Sequence, residues 1–233
     1  MNASIIRILL FNKSGDKREV KLCSGLNIIT GDSKTGKSSL IEIVDYCLFA
    51  GRSTIPKGII NDFADIFAIV LKISDKFITI ARPNTKTGDG GKVYLRIETN
   101  ESFLSNLTVE YCKEFEPRPL KEAQEEVERH FGISVMDTRM DEDEDKRNAG
   151  KATLRSLVTF LFQHQNLIAN KHSLFYRFDD FYKRKKTIDD FAVLIGWESS
   201  EYFLLLRELE AKKKELNAEE KLISKLKIGS SPI

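Results

Sequence analysis

The feature that most constrains this chain is a short loop between an apolar run and a helix-like segment. Residues 31–38 read GDSKTGKS, which fits the pattern G-x-x-x-x-G-K-[ST] of the phosphate-binding P-loop. The preceding residues 26–30, LNIIT, are typical of a central strand, and the apolar spacing over residues 37–49 predicts a helix. Strand, loop and helix in this order predict a nucleoside triphosphate site.

Each fixed position of the pattern has a physical reason. Gly31 and Gly36 allow a tight turn with no Cβ between the backbone and the ligand. The free N–H groups of the loop and of the following helix then face the anion. Lys37 supplies a positive charge to the β- and γ-phosphates, and the Ser38 hydroxyl is placed to ligate Mg²⁺. The residues predicted to contact ATP are Gly31, Asp32, Ser33, Lys34, Thr35, Gly36, Lys37, Ser38 and Ser39.

Composition excludes several classes of protein. The net charge is +2, from 37 basic and 35 acidic residues, so bulk charge gives no indication of nucleic-acid binding. No apolar run approaches the roughly 20 residues of a membrane span. The cysteines at 23, 47 and 112 fit neither a disulfide framework nor a metal knuckle, and we interpret them as buried thiols in a reducing cytoplasm.

Up to about residue 100 the patterns predict strands around one helix. Strands are expected at 4–11, 19–23, 26–30, 66–73, 77–81 and 92–98. A polar helix is expected at 120–131, and the charged run 140–150 is interpreted as a solvated loop, with an acidic metal cluster as the alternative.

Toward the end of the chain, Thr187 is expected to cap a helix over 187–195. A long charged helix is expected at 199–228. Its apolar residues recur every seven positions, as a coiled coil requires, at Tyr202, Leu209, Leu216 and Ile223. The intermediate seam positions include Lys213 and Glu220, which leaves a solvated single helix as the alternative.

The hairpin strands, the segment GLNIITGDSKTGKSSL and the strand that ends at Ile80-Ala81-Arg82 resemble the N-terminal half of SMC/RecN/SbcC-type coiled-coil ATPases of the ABC class. The segments KSSLIEIVDYCL, IPKGII and FQHQNLIAN with LFY are similar to one bacterial family of such ATPases, associated with multi-component phage-defence systems. The resemblance implies an α/β fold of the P-loop NTPase type, with a mixed sheet and antiparallel hairpins around the P-loop helix. It divides the chain into an N-terminal lobe at 1–198, the start of a coiled coil at 199–228 and a flexible end at 229–233.

The resemblance also implies further site residues and partners. A glutamine after an apolar stretch reaches Mg²⁺ and the attacking water, and Gln163 and Gln165 both qualify, because extended backbone would point them the same way. With Lys37, these are the expected catalytic residues, and with Ser38 they are the expected metal ligands. Arg82, at a strand end, is expected to approach nucleotide or DNA. The expected partners are a C-terminal lobe, a head-to-head homodimer and DNA, with no membrane.

The chain departs from the family pattern in one respect. No four apolar residues are followed by Asp-Glu, so the Walker B pair is missing; the pairs Asp179-Asp180 and Asp189-Asp190 do not follow such a strand. We therefore expect the ATP-binding half of an ATPase, hydrolysing ATP only when another lobe completes it. The alternatives are a self-sufficient small P-loop kinase or NTPase, and a nucleotide-gated scaffold without hydrolysis.

Overall fold

A computed structural model describes residues 3–133, 152–163, 165–168, 175, 178, 181–195, 197 and 201–229. Within these residues, six strands form one sheet in the order β2-β1-β3-β4-β5-β6, and every neighbouring pair is antiparallel. The strands are β1 (Ala3–Phe11), β2 (Lys17–Lys21), β3 (Ile66–Ile73), β4 (Lys76–Pro83), β5 (Lys92–Glu98) and β6 (Arg118–Pro119).

Eight α-helices accompany the sheet in the described part of the chain. They are α1 (Ser39–Cys47), α2 (Ile59–Phe63), α3 (Val109–Lys113), α4 (Leu120–His130), α5 (Leu154–Leu161), α6 (Gln165–Ile168), α7 (Phe181–Leu194) and α8 (Glu201–Gly229). Across the described ranges, no helix combines the length and the apolar character that crossing a membrane requires.

The sheet is buried on both faces, and the alternation of side chains along β1 shows how. Ile8 and Leu10 join one core with α1, α4 and α5, whereas Leu9 and Phe11 join a second core. The second core is closed by α3 and by the 3₁₀-helix Glu101–Asn106. The P-loop helix α1 therefore packs against the middle of the sheet, and its N-terminal end carries the loop.

Most of the predicted elements are confirmed. The strand at 92–98 has the predicted bounds, the hairpin of β3 and β4 extends the predicted one by a few residues, and helices occur at the P-loop, over 120–130 and over 201–229. The charged run 140–150 lies outside the described residues.

The prediction of a mixed sheet is wrong for the described residues, because the expected strand over residues 26–30 does not form. That segment follows β2 as irregular backbone. The exposed fractions of Leu26, Ile28 and Ile29 are 88%, 76% and 46%. A strand requires a neighbour to accept its hydrogen bonds, and no described strand is hydrogen-bonded to this segment. The described sheet therefore has no strand directly before the P-loop.

Two smaller predictions are also wrong. Thr187 does not cap a helix: α7 begins at Phe181, and Thr187 is a buried residue within it. Cys23 is exposed, although Cys47 and Cys112 are buried as predicted.

Burial raises the pKa of the Cys47 and Cys112 thiols to about 12, since a thiolate is poorly stabilised without water. Both thiols are therefore protonated near neutral pH.

Candidate functional site

The loop over residues 31–38 is organised by the side chain of Lys37. Its ammonium group donates hydrogen bonds to the carbonyl oxygen of Gly31 at 2.7 Å, to that of Asp32, and to Thr35 Oγ1 at 3.2 Å. Thr35 Oγ1 in turn donates to the carbonyl oxygen of Asp32 at 2.8 Å. The cation thus lies within the loop, held by neutral acceptors that a phosphate oxygen could replace with a stronger, charged one.

Within the described residues, the main-chain N–H groups of the loop are not used as hydrogen-bond donors. Among the hydrogen bonds of the described residues, none has an N–H group of residues 31–38 as its donor, and the helical pattern begins with Ser39 N donating to Gly36 O at 3.0 Å. Ser38 is exposed and makes no side-chain cap bond to α1. A row of unused donors at a helix N-terminus, with a cation and a hydroxyl beside it, fits a triphosphate with Mg²⁺.

Gly36 has a conformation and a contact that other residues would disturb. Its φ is +87°, in the left-handed region that side chains disfavour, and a Cβ atom there would lie 2.6 Å from Cδ1 of Ile60. Ile60 belongs to α2, so this short helix packs against the second glycine of the loop. The glycine requirement of the pattern is therefore visible as backbone geometry.

We expect Gly36→Ala to weaken ATP binding by about tenfold. The left-handed φ costs an alanine about 1–2 kcal/mol, and relaxing it moves the N–H groups that face the phosphates. Equilibrium titration with a fluorescent ATP analogue measures the change. Gly91→Ala is the matched control, because a Cβ at Gly91 meets no atom within 4 Å and no left-handed φ is required there. Equal affinities of the two variants would contradict the assigned geometry.

Arg82 is buried within the fold, so the prediction that it approaches nucleotide or DNA is wrong. Its side chain is buried, with Nη1 donating to the carbonyl oxygens of Tyr46 and Ala50, and Nη2 donating to Gly90 O at 2.6 Å. The guanidinium also stacks on the Tyr46 ring, 3.9 Å from its centroid. These acceptors include carbonyls at the C-terminal end of α1, where a positive charge is stabilised by the helix dipole.

Burial of this stacked pair affects both of its titrating groups. Desolvation lowers the pKa of the Arg82 guanidinium, although Tyr46 and Cys47 act in the opposite direction. Desolvation raises the pKa of the Tyr46 phenol, and the nearby Arg82 charge partly offsets it. The Tyr46 hydroxyl donates a hydrogen bond to Pro83 O at 2.7 Å. Arg82 thus anchors the end of α1 that lies away from the P-loop.

The two glutamines lie just after α5, in different local structures. Gln163 is exposed and follows the helix, whereas Gln165 begins α6. The prediction that both glutamines lie on extended backbone is therefore wrong for Gln165, which is helical. The roles of both glutamines stay predictions.

The sequence patterns missed a polar link between the P-loop helix and α5. Arg155, near the start of α5, donates to the buried Asp45 of α1 at 2.7 Å. One signal pointed to it: Asp45 interrupts the apolar face of the P-loop helix, and a buried carboxylate requires a partner. Its partner lies 110 residues away, so no local pattern identifies it.

A comparison against protein families gives one match over most of the chain. The model of a family described as an AAA domain matches residues 5–228. No curated protein matches the chain significantly. The family consists of P-loop ATPases and occurs in SMC-like proteins, so the match implies ATP binding and ATPase activity. Because the match spans nearly the whole sequence, the chain belongs to this AAA domain family of P-loop ATPases.

Proposed function

We propose that this chain is the ATP-binding half of a coiled-coil, ABC/SMC-like ATPase. Mg-ATP is held at residues 31–38, and a C-terminal lobe of the same or another chain supplies the Walker B and signature motifs. Two such heads join face to face, and hydrolysis moves the coiled coil. The proposed setting, DNA maintenance or phage defence, rests on the sequence resemblance.

The exposed segment over residues 26–30 carries this proposal. Leu26 and Ile28 are largely exposed directly before the loop, and Ile29 is about half exposed. Burying a side chain of this size contributes about 1.5–3 kcal/mol, so three exposed ones within four residues favour a covering element. A strand from a C-terminal lobe would bury these side chains and satisfy the unpaired backbone. The position directly before the P-loop is where such a strand would complete the ATP site.

Helix α8 supports the coiled-coil part of the proposal. Leu209, Leu216 and Ile223 are seven residues apart on this helix, and all three are exposed. A returning helix would bury this seam, in the way that paired heptad positions do. The polar residues Lys213 and Glu220 at the intermediate positions would make the seam weaker than one of uniform leucines.

In the proposed mechanism, the residues of this chain bind and orient the triphosphate. The loop N–H groups hold its oxygens, and the Lys37 ammonium moves from the loop carbonyls to the β- and γ-phosphates. Ser38 would hold Mg²⁺, which neutralises charge on the phosphates when bound. Gln163 or Gln165 would contact Mg²⁺ and orient the attacking water. The completing lobe brings the general base and excludes bulk water.

Amide hydrogen exchange tests where the completing lobe binds. In this chain alone, we expect the main-chain amides of residues 26–30 to exchange rapidly, because none of these main-chain N–H groups donates a hydrogen bond in the described structure. Addition of the C-terminal lobe should slow their exchange by orders of magnitude, as strand pairing does. The amides of β4, which are already paired, serve as the internal control. Slowing elsewhere with no effect at 26–30 would contradict the proposed site of completion.

A further inference from the structure

The N-terminal end of α5 is fixed to the P-loop helix by one arginine. Arg155 Nη1 donates to Asp45 Oδ1 at 2.7 Å, to the carbonyl oxygen of Asp45 at 3.2 Å, and to that of Leu48 at 3.1 Å. The Asp45 side chain is fully buried, and that of Arg155 is one-quarter exposed. A buried ion pair with a multiply bonded guanidinium has a defined geometry, which a flexible ammonium does not reproduce.

Two further carboxylates hold the residues on either side of Arg155. The carboxylate of Glu128, in α4, accepts a hydrogen bond from Leu154 N at 2.8 Å. This takes the place of a cap, because the N-cap residue Thr153 makes no side-chain cap bond. The Ser156 hydroxyl donates to Asp190, in α7.

The first turn of α5 is therefore held from three directions. Its residues 154, 155 and 156 contact buried acidic side chains of α4, α1 and α7, respectively. A helix of this length spans about 12 Å, and the chain reaches Gln163 two residues after its end. Because Gln163 follows α5 by two residues and Gln165 begins α6 two residues later, the orientation of α5 constrains where the backbone of both glutamines can lie.

We propose that Arg155 is a positioning residue of the Mg-ATP site. By pairing with Asp45, it fixes α5, and with it Gln163 and Gln165, relative to the helix that begins at the P-loop. Residues 154, 155 and 156 contact α4, α1 and α7, respectively, and the contact of Arg155 is the one made to the helix that begins at the P-loop. The proposal rests on the proposed function, and it assigns to this chain a link between the two segments that act on the bound nucleotide.

The Mg²⁺ dependence of ATP affinity distinguishes positioning from general stabilisation. A residue that merely stabilises the fold affects ATP affinity equally with Mg²⁺ and with EDTA. A residue that positions the glutamines affects the gain that Mg²⁺ gives. We expect Arg155→Lys to leave the affinity in EDTA unchanged and to reduce the Mg²⁺ gain by about tenfold, the effect typical of residues that orient metal ligands.

The matched control is Arg7→Lys. Arg7 of β1 forms an ion pair with Glu19 of β2, with 3.1 Å between Nε and Oε1. Its side chain is 19% exposed, close to the 25% of Arg155. This variant should keep the full Mg²⁺ gain. If Arg155→Lys does not fold, as thermal unfolding will show, Asp45→Asn carries the same test, because it removes the charge from the pair while keeping its shape.

The outcomes separate this proposal from the function on which it rests. An unchanged Mg²⁺ gain in the folded Arg155 or Asp45 variant would overturn the positioning role. So would a parent chain whose ATP affinity does not respond to Mg²⁺, even if binding still requires Lys37. ATP binding that does not require Lys37 would instead contradict the proposed function.

Discussion

Replacement of Lys37 by alanine is expected to weaken ATP binding by about 100-fold or more. The ammonium group of Lys37 lies within the loop, where it donates hydrogen bonds to Gly31 O and Thr35 Oγ1. Hydrogen bonds to charged groups contribute about 1.5–3 kcal/mol each, and one ammonium serves two phosphates. Isothermal titration calorimetry with Mg-ATP measures the loss.

The loss should come without a loss of fold. The partners of Lys37 are exposed acceptors of the loop, so the free energy of unfolding should change by less than about 0.5 kcal/mol. Lys113→Ala is the control, because Lys113 is an exposed lysine of α3. ATP affinity of the Lys37 variant equal to that of this control would show that the loop is not the nucleotide site.

Replacement of Ile28 by aspartate is expected to reduce the ATPase activity of the completed protein strongly while leaving this chain folded. The Ile28 side chain is 76% exposed, so a charge there costs the isolated chain little. In the proposed assembly the same position is covered, and a buried, unpaired carboxylate is costly. Phosphate release by the chain together with the C-terminal lobe should fall by at least about tenfold.

Two comparisons make this prediction specific. Ile188→Asp introduces the same charge at an exposed isoleucine of α7, and its phosphate release should match the parent. Ile69→Asp introduces it at a fully buried position of β3, and this variant should unfold. If Ile28→Asp kept full activity, or lowered the melting temperature as Ile69→Asp does, residues 26–30 would not be the surface that the second lobe covers.

The sequence predicted those parts of the molecule whose signals are local. The strand over 92–98 was predicted with its observed bounds because apolar and polar residues alternate along it. The motif G-x-x-x-x-G-K-[ST] located the candidate loop, and the structure adds the left-handed φ of Gly36 and the inward position of Lys37. The seven-residue spacing of apolar residues also sufficed to predict the long helix α8.

The predictions that are wrong depend on contacts between distant residues. Arg82 at a strand end was expected near a ligand, yet carbonyl groups at the end of α1 accept its hydrogen bonds. Thr187 resembles a cap, but it lies within α7 as a buried residue. The segment 26–30 has the composition of a strand, but it is paired with no strand of the described residues. A single sequence records none of these partners, because they are set by the tertiary arrangement.

Steady-state phosphate release is the most direct measurement of whether this chain is half of an ATPase site. The chain alone, saturated with Mg-ATP, should release no phosphate above background, because it lacks a Walker B pair. Addition of the C-terminal lobe should produce turnover that requires both Mg²⁺ and Lys37. Sustained turnover by the chain alone would contradict this and would indicate a self-sufficient P-loop enzyme, whereas no turnover with the lobe bound would indicate a nucleotide-gated scaffold.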